Sequence, residues 1–379
     1  NTFLLIFLIL SIVLLLFVRV CFTTNFIKCV YPHTHLILQL YFLSGIEQVL
    51  EYLEEPHEKP QFILVGTYGP HFPYITSKEM YLKYYDRVEK PSFYEPEEIP
   101  EYLQDFELQS SRMRGEEARW KVTRGARAAY CGLVEIMDSQ IGKVKKAFEK
   151  HTERHGTEGI FGYCSDHGDT LGERRMFGKQ TYYEKSAKIP FLLTGSGVPA
   201  NKQIQALTSI MDIGPTICEL AGTEYTFGEG RSLLPYFAGE EDGERIVVSQ
   251  FVEKYKGESY ASMMLRYKNY KYISYHHYEN KDMLFNLKED PKEGHNCITE
   301  KPEVVEYLKN ERRKLISFDE MEKQRADHGK RAQLFIAVEK NTGINDEERW
   351  KDNPPEARGE LEIAAASEPI VPGSRIMRI

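Results

Sequence analysis

Three short apolar runs constrain the fold most. QFILVGTYG (61–69), GIFGYCSDHG (159–168) and KIPFLLTGSGV (188–198) each lose their apolar character at glycine or a small polar residue. Runs this short, apolar at both parities, read as strands buried on both faces, as in parallel sheets. Between the first two lies RGARAAYCGLVEIMDSQIGKVKKAFEKH (124–151), where Ala128, Leu133, Ile136, Ile141 and Val144 recur near helical spacing. GIEQVLEYLEE (45–55) reads as an amphipathic helix, and TSIMDIGPTICELAG (208–222) as a helix closed by a glycine. The alternation predicts an α/β fold, a large mixed and mostly parallel sheet flanked by helices.

The chain divides into four expected parts. Residues 1–22 open with NTFLLIFLILSIVLLLFV, which carries no charge before Arg19. That run predicts either a membrane span or signal-anchor over residues 1–18 or a stretch that is not native protein; a buried core helix is a further reading. Residues 45–242 hold the α/β pattern. Within them, 72–118 are rich in Pro, Tyr and Glu without a clear period and read as a surface excursion walling a substrate site. Residues 243–318 change to ERIVVSQF, YASMMLRYKNYKYISY and DMLFNLKEDP, antiparallel strands with KNY as a turn, closed by the helix KPEVVEYLKNERRKLISF. This predicts a small C-terminal antiparallel α+β subdomain. Residues 319–379 read as a charged, then Pro/Ala-rich tail.

Composition removes some functions. A net charge of −8 with no dense basic block argues against a nucleic-acid partner. Six scattered cysteines without a CxxC exclude a disulfide scaffold and a cysteine-rich zinc site. Membrane attachment, or export, follows if residues 1–18 are native, and a cytoplasmic location otherwise.

The chemistry concentrates after the second apolar run. Asp166 and His167 stand at a strand's carboxyl end, where α/β sheets bind ligands, and Gly168 lets the backbone turn. An acid and an imidazole there can face one divalent ion; a turn-capping Asp166 and a locally bonded His167 fit the same residues. Lys179, between Gly178 and Gln180, offers a compact cation for a tetrahedral oxyanion, or is a solvated surface lysine. His71, stiffened between Pro70 and Phe72-Pro73, could donate to an anion or protonate a leaving group, or be a structural loop histidine. His33 and His35 are tempting as ligands, but the structural reading is preferred for both.

In SDHGDTLGERRMFGKQTYYEKSAKIPFLLTGSG, YGPHFPY, AAYCGLVEIMDSQIGKV, SIMDIGPTICELAG and LFNLKEDPKEGHN, the chain resembles the sulfatases of the alkaline phosphatase superfamily over roughly residues 45–318. A histidine after the metal-binding aspartate is similar to the choline-sulfatase and phosphonate monoester hydrolase branch. The resemblance implies an alkaline phosphatase-like fold and a metal-dependent sulfuric ester hydrolase. Asp166 and His167 would ligate one divalent ion, Ca²⁺ or Mn²⁺; Lys179 and His71 would hold the sulfate, His71 also helping the alcohol leave. The partner would be a small-molecule sulfate ester or a sulfated sugar. The alternatives are a phosphodiesterase or phosphonate monoester hydrolase of the superfamily, or a non-catalytic membrane-tethered relative. One departure matters: no Cys- or Ser-x-Pro-x-Arg occurs, the motif that yields the formylglycine nucleophile, and the early Asp-Asp metal pair is missing. The expectation is therefore a fold incomplete at its N-terminus, an N-terminally truncated sulfatase inactive as this chain alone.

Overall fold

The structure, a computed structural model, describes residues 3–10 and 46–342, apart from Pro73, 93–98, 105–115, Phe227 and Glu241. His33, His35 and most of the 319–379 tail lie outside the described residues. The described strands form two four-stranded sheets. The first has the order β2-β1-β3-β4, with β1 at Phe3–Leu10, β2 at Gln61–Gly66, β3 at Glu158–Ser165 and β4 at Phe191–Gly195. β1 runs parallel to both neighbours and places Ile9 opposite Gly66 and Cys164; β4 runs antiparallel to β3.

The position of β1 corrects the reading of residues 1–18 as a membrane span. Residues Phe3–Leu10 are a strand inside the sheet, and no helix among the described residues is long and apolar enough to cross a membrane. Phe3–Leu10 fill the place between β2 and β3 in this sheet. The physical reason is an ambiguity of pattern. A strand between two parallel partners is apolar at both parities, so a short stretch of it cannot be told from a helix by periodicity.

Helices cover both faces of this sheet. α1 (46–54) and the 40-residue α4 (Glu116–His155) pack Ile46, Val49, Leu53, Val144 and Phe148 on Ile63, Val65 and Phe161. On the opposite face, Phe62, Leu64, Ile160 and Cys164 meet Ile213, Ile217 and Leu220 of α6 (Ile213–Leu220). The odd and even positions of β2 and β3 thus point to different helix layers, which explains runs without polar alternation. The excursion at 72–118 also holds regular structure: α2 (Lys78–Tyr85), capped by Ser77 Oγ on the Met80 amide, and the short α3 (Glu101–Gln104). α2 lies along α4, where Lys83 and Tyr84 hold Glu135.

The second sheet is antiparallel throughout, in the order β5 (Ile246–Tyr255), β6 (Glu258–Tyr267), β7 (Tyr270–Tyr275) and β8 (Met283–Asn286). Lys256 and Gly257 join β5 to β6, both at positive φ, the two-residue turn that matches strand twist. One face buries Met263, Leu265, Tyr272 and Leu284 against α8 (Pro302–Arg313) and the start of α9 (Phe318–Thr342). The other face buries Met264, Ile273, Tyr275 and Phe285 against Met176, Tyr182 and Tyr183 of the loop that follows β3. That loop carries the site, so the second sheet is its platform.

Candidate active site

Aligned strand ends bring the site residues together. Gly66, Leu10 and Ser165 stand at the carboxyl ends of β2, β1 and β3, and the next residues of β2 and β3 turn into one cavity of about 650 Å³. Its lining includes His71, Asp166, His167, Asp169 and Lys179. All four residues singled out in the sequence therefore face the same space.

His71 closes the turn after β2, its amide donating to the Tyr68 carbonyl at 3.1 Å. Its Nδ1 lies 2.7 Å from the Phe72 carbonyl and 3.1 Å from the Tyr68 hydroxyl. A proton on Nδ1 satisfies the carbonyl and leaves Nε2 as the free lone pair. That nitrogen faces the Lys179 ammonium at 2.9 Å. Burial holds the pKa of His71 below its ordinary value; the Phe72 carbonyl opposes this, and the Lys179 and His167 charges add to it. Burial likewise pulls Lys179 down, opposed by Asp166 and Asp169. The ammonium and the neutral imidazole both point into the cavity.

Asp166 and His167 form the other wall. Asp166 Oδ1 accepts the His167 amide at 3.0 Å, and its Oδ2 lies 3.3 Å from His167 Nε2. His167 Nδ1 is taken by the Gly168 carbonyl at 2.7 Å, so Nε2 is the nitrogen turned outward. The His71 and His167 rings meet edge to face with centroids 6.3 Å apart.

Two residues without a role in the sequence reading, Asp169 and Tyr74, hold this arrangement. Asp169 Oδ1 accepts the amides of Leu171 and Gly178 at 3.0 and 2.9 Å, and Oδ2 accepts the Tyr74 hydroxyl at 2.6 Å. The carboxylate thus fixes the left-handed Gly178 immediately before Lys179 and ties the β3 loop to the β2 loop. Burial, then Asp169, keeps the Tyr74 phenol protonated and donating. The signal was present in DHGDT: an acid two residues before a backbone amide is a common turn-former.

Gly168 is required by close approach. Its amide donates to the Ser186 carbonyl at 2.7 Å, and an added Cβ would lie 2.1 Å from the Lys185 carbonyl oxygen. Gly168→Ala should push the β3 loop off α5 (Glu184–Ala187) and lower stability by about 1–3 kcal/mol, measurable by urea unfolding.

The sulfatase family matches residues 42–223, and the family described as N-sulphoglucosamine sulphohydrolase, C-terminal, matches 172–320. The chain is 30% identical over 233 residues to arylsulfatase K of Canis lupus familiaris, covering 59% of this chain and 43% of that protein. It is 28% identical over 260 residues to choline-sulfatase of Rhizobium meliloti (strain 1021), covering 66% of this chain and 48% of that protein. The crystal structure of phosphonate monoester hydrolase of Agrobacterium radiobacter shares the fold, with a TM-score of 0.55 at 22% identity over 75% of this chain and 60% of that one. The chain spans about half the length of the curated relatives it matches. The two family regions overlap at residues 172–223 and together span 42–320, with the site lying in the first, so the chain carries sulfatase family domains.

Proposed function

We propose that the chain binds the tetrahedral head of a sulfate ester between Lys179, His71 and one divalent cation held by Asp166 and His167. The observation that carries this reading is the contact of Lys179 Nζ with His71 Nε2 at 2.9 Å, in a cavity also lined by Asp166 and His167. A cation and a neutral imidazole nitrogen sharing one direction form a socket for an anion: the ammonium donates to one oxygen and, once protonated, Nε2 donates to another.

The donors present fit one side of a cation. Asp166 Oδ2 and His167 Nε2 are 3.3 Å apart, within the roughly 3.0–3.5 Å between adjacent ligands at the usual bond lengths of such ions. Ca²⁺ or Mn²⁺ bound there would supply positive charge to a sulfate oxygen. Two donors are few for such an ion, and the residues after β1, Ser11 and Ile12, add no carboxylate. The names of the second family and of the choline-sulfatase support a sulfated sugar or a sulfate ester of a small alcohol as the ligand.

Turnover is a separate matter. No Cys- or Ser-x-Pro-x-Arg occurs in the sequence. The buried Cys164 thiol, beside Asp166, is pushed up to about 12, and burial raises Cys131 and Cys297 as well. These sulfurs stay protonated near neutrality and are poor nucleophiles. We therefore propose that this chain by itself binds the ester without hydrolysing it. Incubation with an aryl sulfate and Mn²⁺ or Ca²⁺ should give no turnover, while inorganic sulfate binds. Hydrolysis that disappears in Asp166→Ala would contradict the proposal.

Binding should also be coupled to a proton. The free His71 is depressed below its ordinary pKa and the bound anion raises it, so association takes up a proton. Sulfate affinity should rise as pH falls through the range below about 6.5, by up to tenfold per unit. His71→Gln should flatten that profile, and calorimetry at several pH values reads it directly.

A further inference from the structure

A second cluster of ligating side chains lies far along the chain from the anion socket, where β7 turns toward α9. His276 and His277 follow the last residue of β7, and their rings stack with centroids 3.7 Å apart. The His276 amide donates to the Ala261 carbonyl at 2.9 Å. Glu322 comes from α9, and its Oε1 accepts the Ala261 amide at 3.0 Å. One residue of β6 therefore pins both partners. His276 Nδ1 lies 3.0 Å from the same Glu322 oxygen. Asp319, one turn earlier on α9, places Oδ1 3.8 Å from His276 Nε2. His276 and Glu322 are half-buried, at 17% and 19% exposure of their side chains, while His277 is exposed. His277 holds φ at 66°, a left-handed conformation uncommon for a residue with a Cβ, and this turns it back beside His276.

We propose that His276, His277 and Glu322 form a binding site for a divalent transition-metal ion of the zinc class. The three ligand atoms lie within 4.8 Å of one another. Tetrahedral zinc, with bonds of about 2.0–2.1 Å, needs its ligand atoms roughly 3.3–3.5 Å apart. The His276–Glu322 pair already lies near that spacing, and the exposed His277 ring has room to close the remainder by rotation. Two imidazoles and one carboxylate suit zinc rather than Ca²⁺ or Mg²⁺, which prefer all-oxygen shells. With His276 Nδ1 on the metal, its Nε2–H points to Asp319, the outer-sphere carboxylate that commonly orients a ligating histidine. A fourth position remains for water. The ion would fasten α9 to the β6–β7 edge, which the apolar contacts of Phe318 and Met321 cover on one side.

The test titrates Zn²⁺ into the full 379-residue chain against a chromophoric chelator, in parallel with His277→Ala, Glu322→Gln and Asp166→Ala. His277 is exposed, so its removal leaves the core intact. In Glu322→Gln the side-chain amide keeps an oxygen for the Ala261 amide. The proposal expects one zinc equivalent that weakens roughly tenfold or more in His277→Ala and in Glu322→Gln, as the protein ligands fall from three to two. It expects that equivalent to persist in Asp166→Ala, and zinc to raise the melting temperature of the wild type but not of His277→Ala. Zinc binding equal in wild type and His277→Ala would overturn it, as would a wild-type chain that does not take up zinc.

Discussion

Lys179→Ala should weaken binding of inorganic sulfate by roughly 10- to 100-fold, the value of a hydrogen bond to a charged group in a partly desolvated site. Asp169 fixes Gly178, Gly178 fixes the direction of Lys179, and the ammonium ends 2.9 Å from His71 Nε2. Burial already lowers the pKa of this lysine, so part of its charge is held at a cost that an anion relieves. Lys179→Met keeps the stem and removes the charge, separating charge from packing; it should bind sulfate as weakly as the alanine variant. Binding by either variant within about twofold of wild type would mean that the lysine is a structural partner of His71 only.

Lys271→Met should lower stability by about 3–5 kcal/mol, the usual cost of leaving a buried carboxylate without its cation. Lys271 is fully buried on β7. Its ammonium bonds Glu293 Oε1 and Glu184 Oε1, each at 2.7 Å, and the Tyr182 carbonyl at 2.6 Å. Desolvation raises the pKa of Glu293, and Lys271 is the main opposing influence. The loss should appear as a fall in melting temperature on the order of 10 °C. Adding Glu293→Gln should recover part of it, because the unpaired charge is gone. The site should suffer too: Glu293 Oε2 accepts the Glu184 amide at 2.7 Å, and α5 in turn receives Gly168. A single variant melting within a degree or two of wild type would sink this account of how the platform carries the site.

The sequence disclosed the site better than the scaffold around it. Asp166, His167, Lys179 and His71 were legible because a strand end, a glycine and a proline-flanked histidine each leave a local mark. Phe3–Leu10 were misread because hydropathy records burial and not what does the burying: a strand between parallel partners and a lipid span are both apolar throughout. α2 stayed hidden because its short pattern is Tyr- and Lys-rich, and its support comes from Glu135 on a distant helix. Lys271 lies on a strand buried on both faces, so alternation does not single it out. Its partners Glu184 and Glu293 are remote in sequence, and no local pattern names them. The same separation concealed Glu322 from His276.

The central claim is that one anion is shared between Lys179, His71 and a cation at Asp166 and His167. Titrating sulfate into the wild-type chain and Asp166→Ala by calorimetry, each with and without Mn²⁺, tests it most directly. The account predicts that Mn²⁺ tightens sulfate binding in the wild type, by roughly tenfold for a coupling of about 1.4 kcal/mol, and leaves Asp166→Ala unaffected. Sulfate affinity that ignores Mn²⁺ in the wild type, or that Mn²⁺ raises equally in Asp166→Ala, would contradict it.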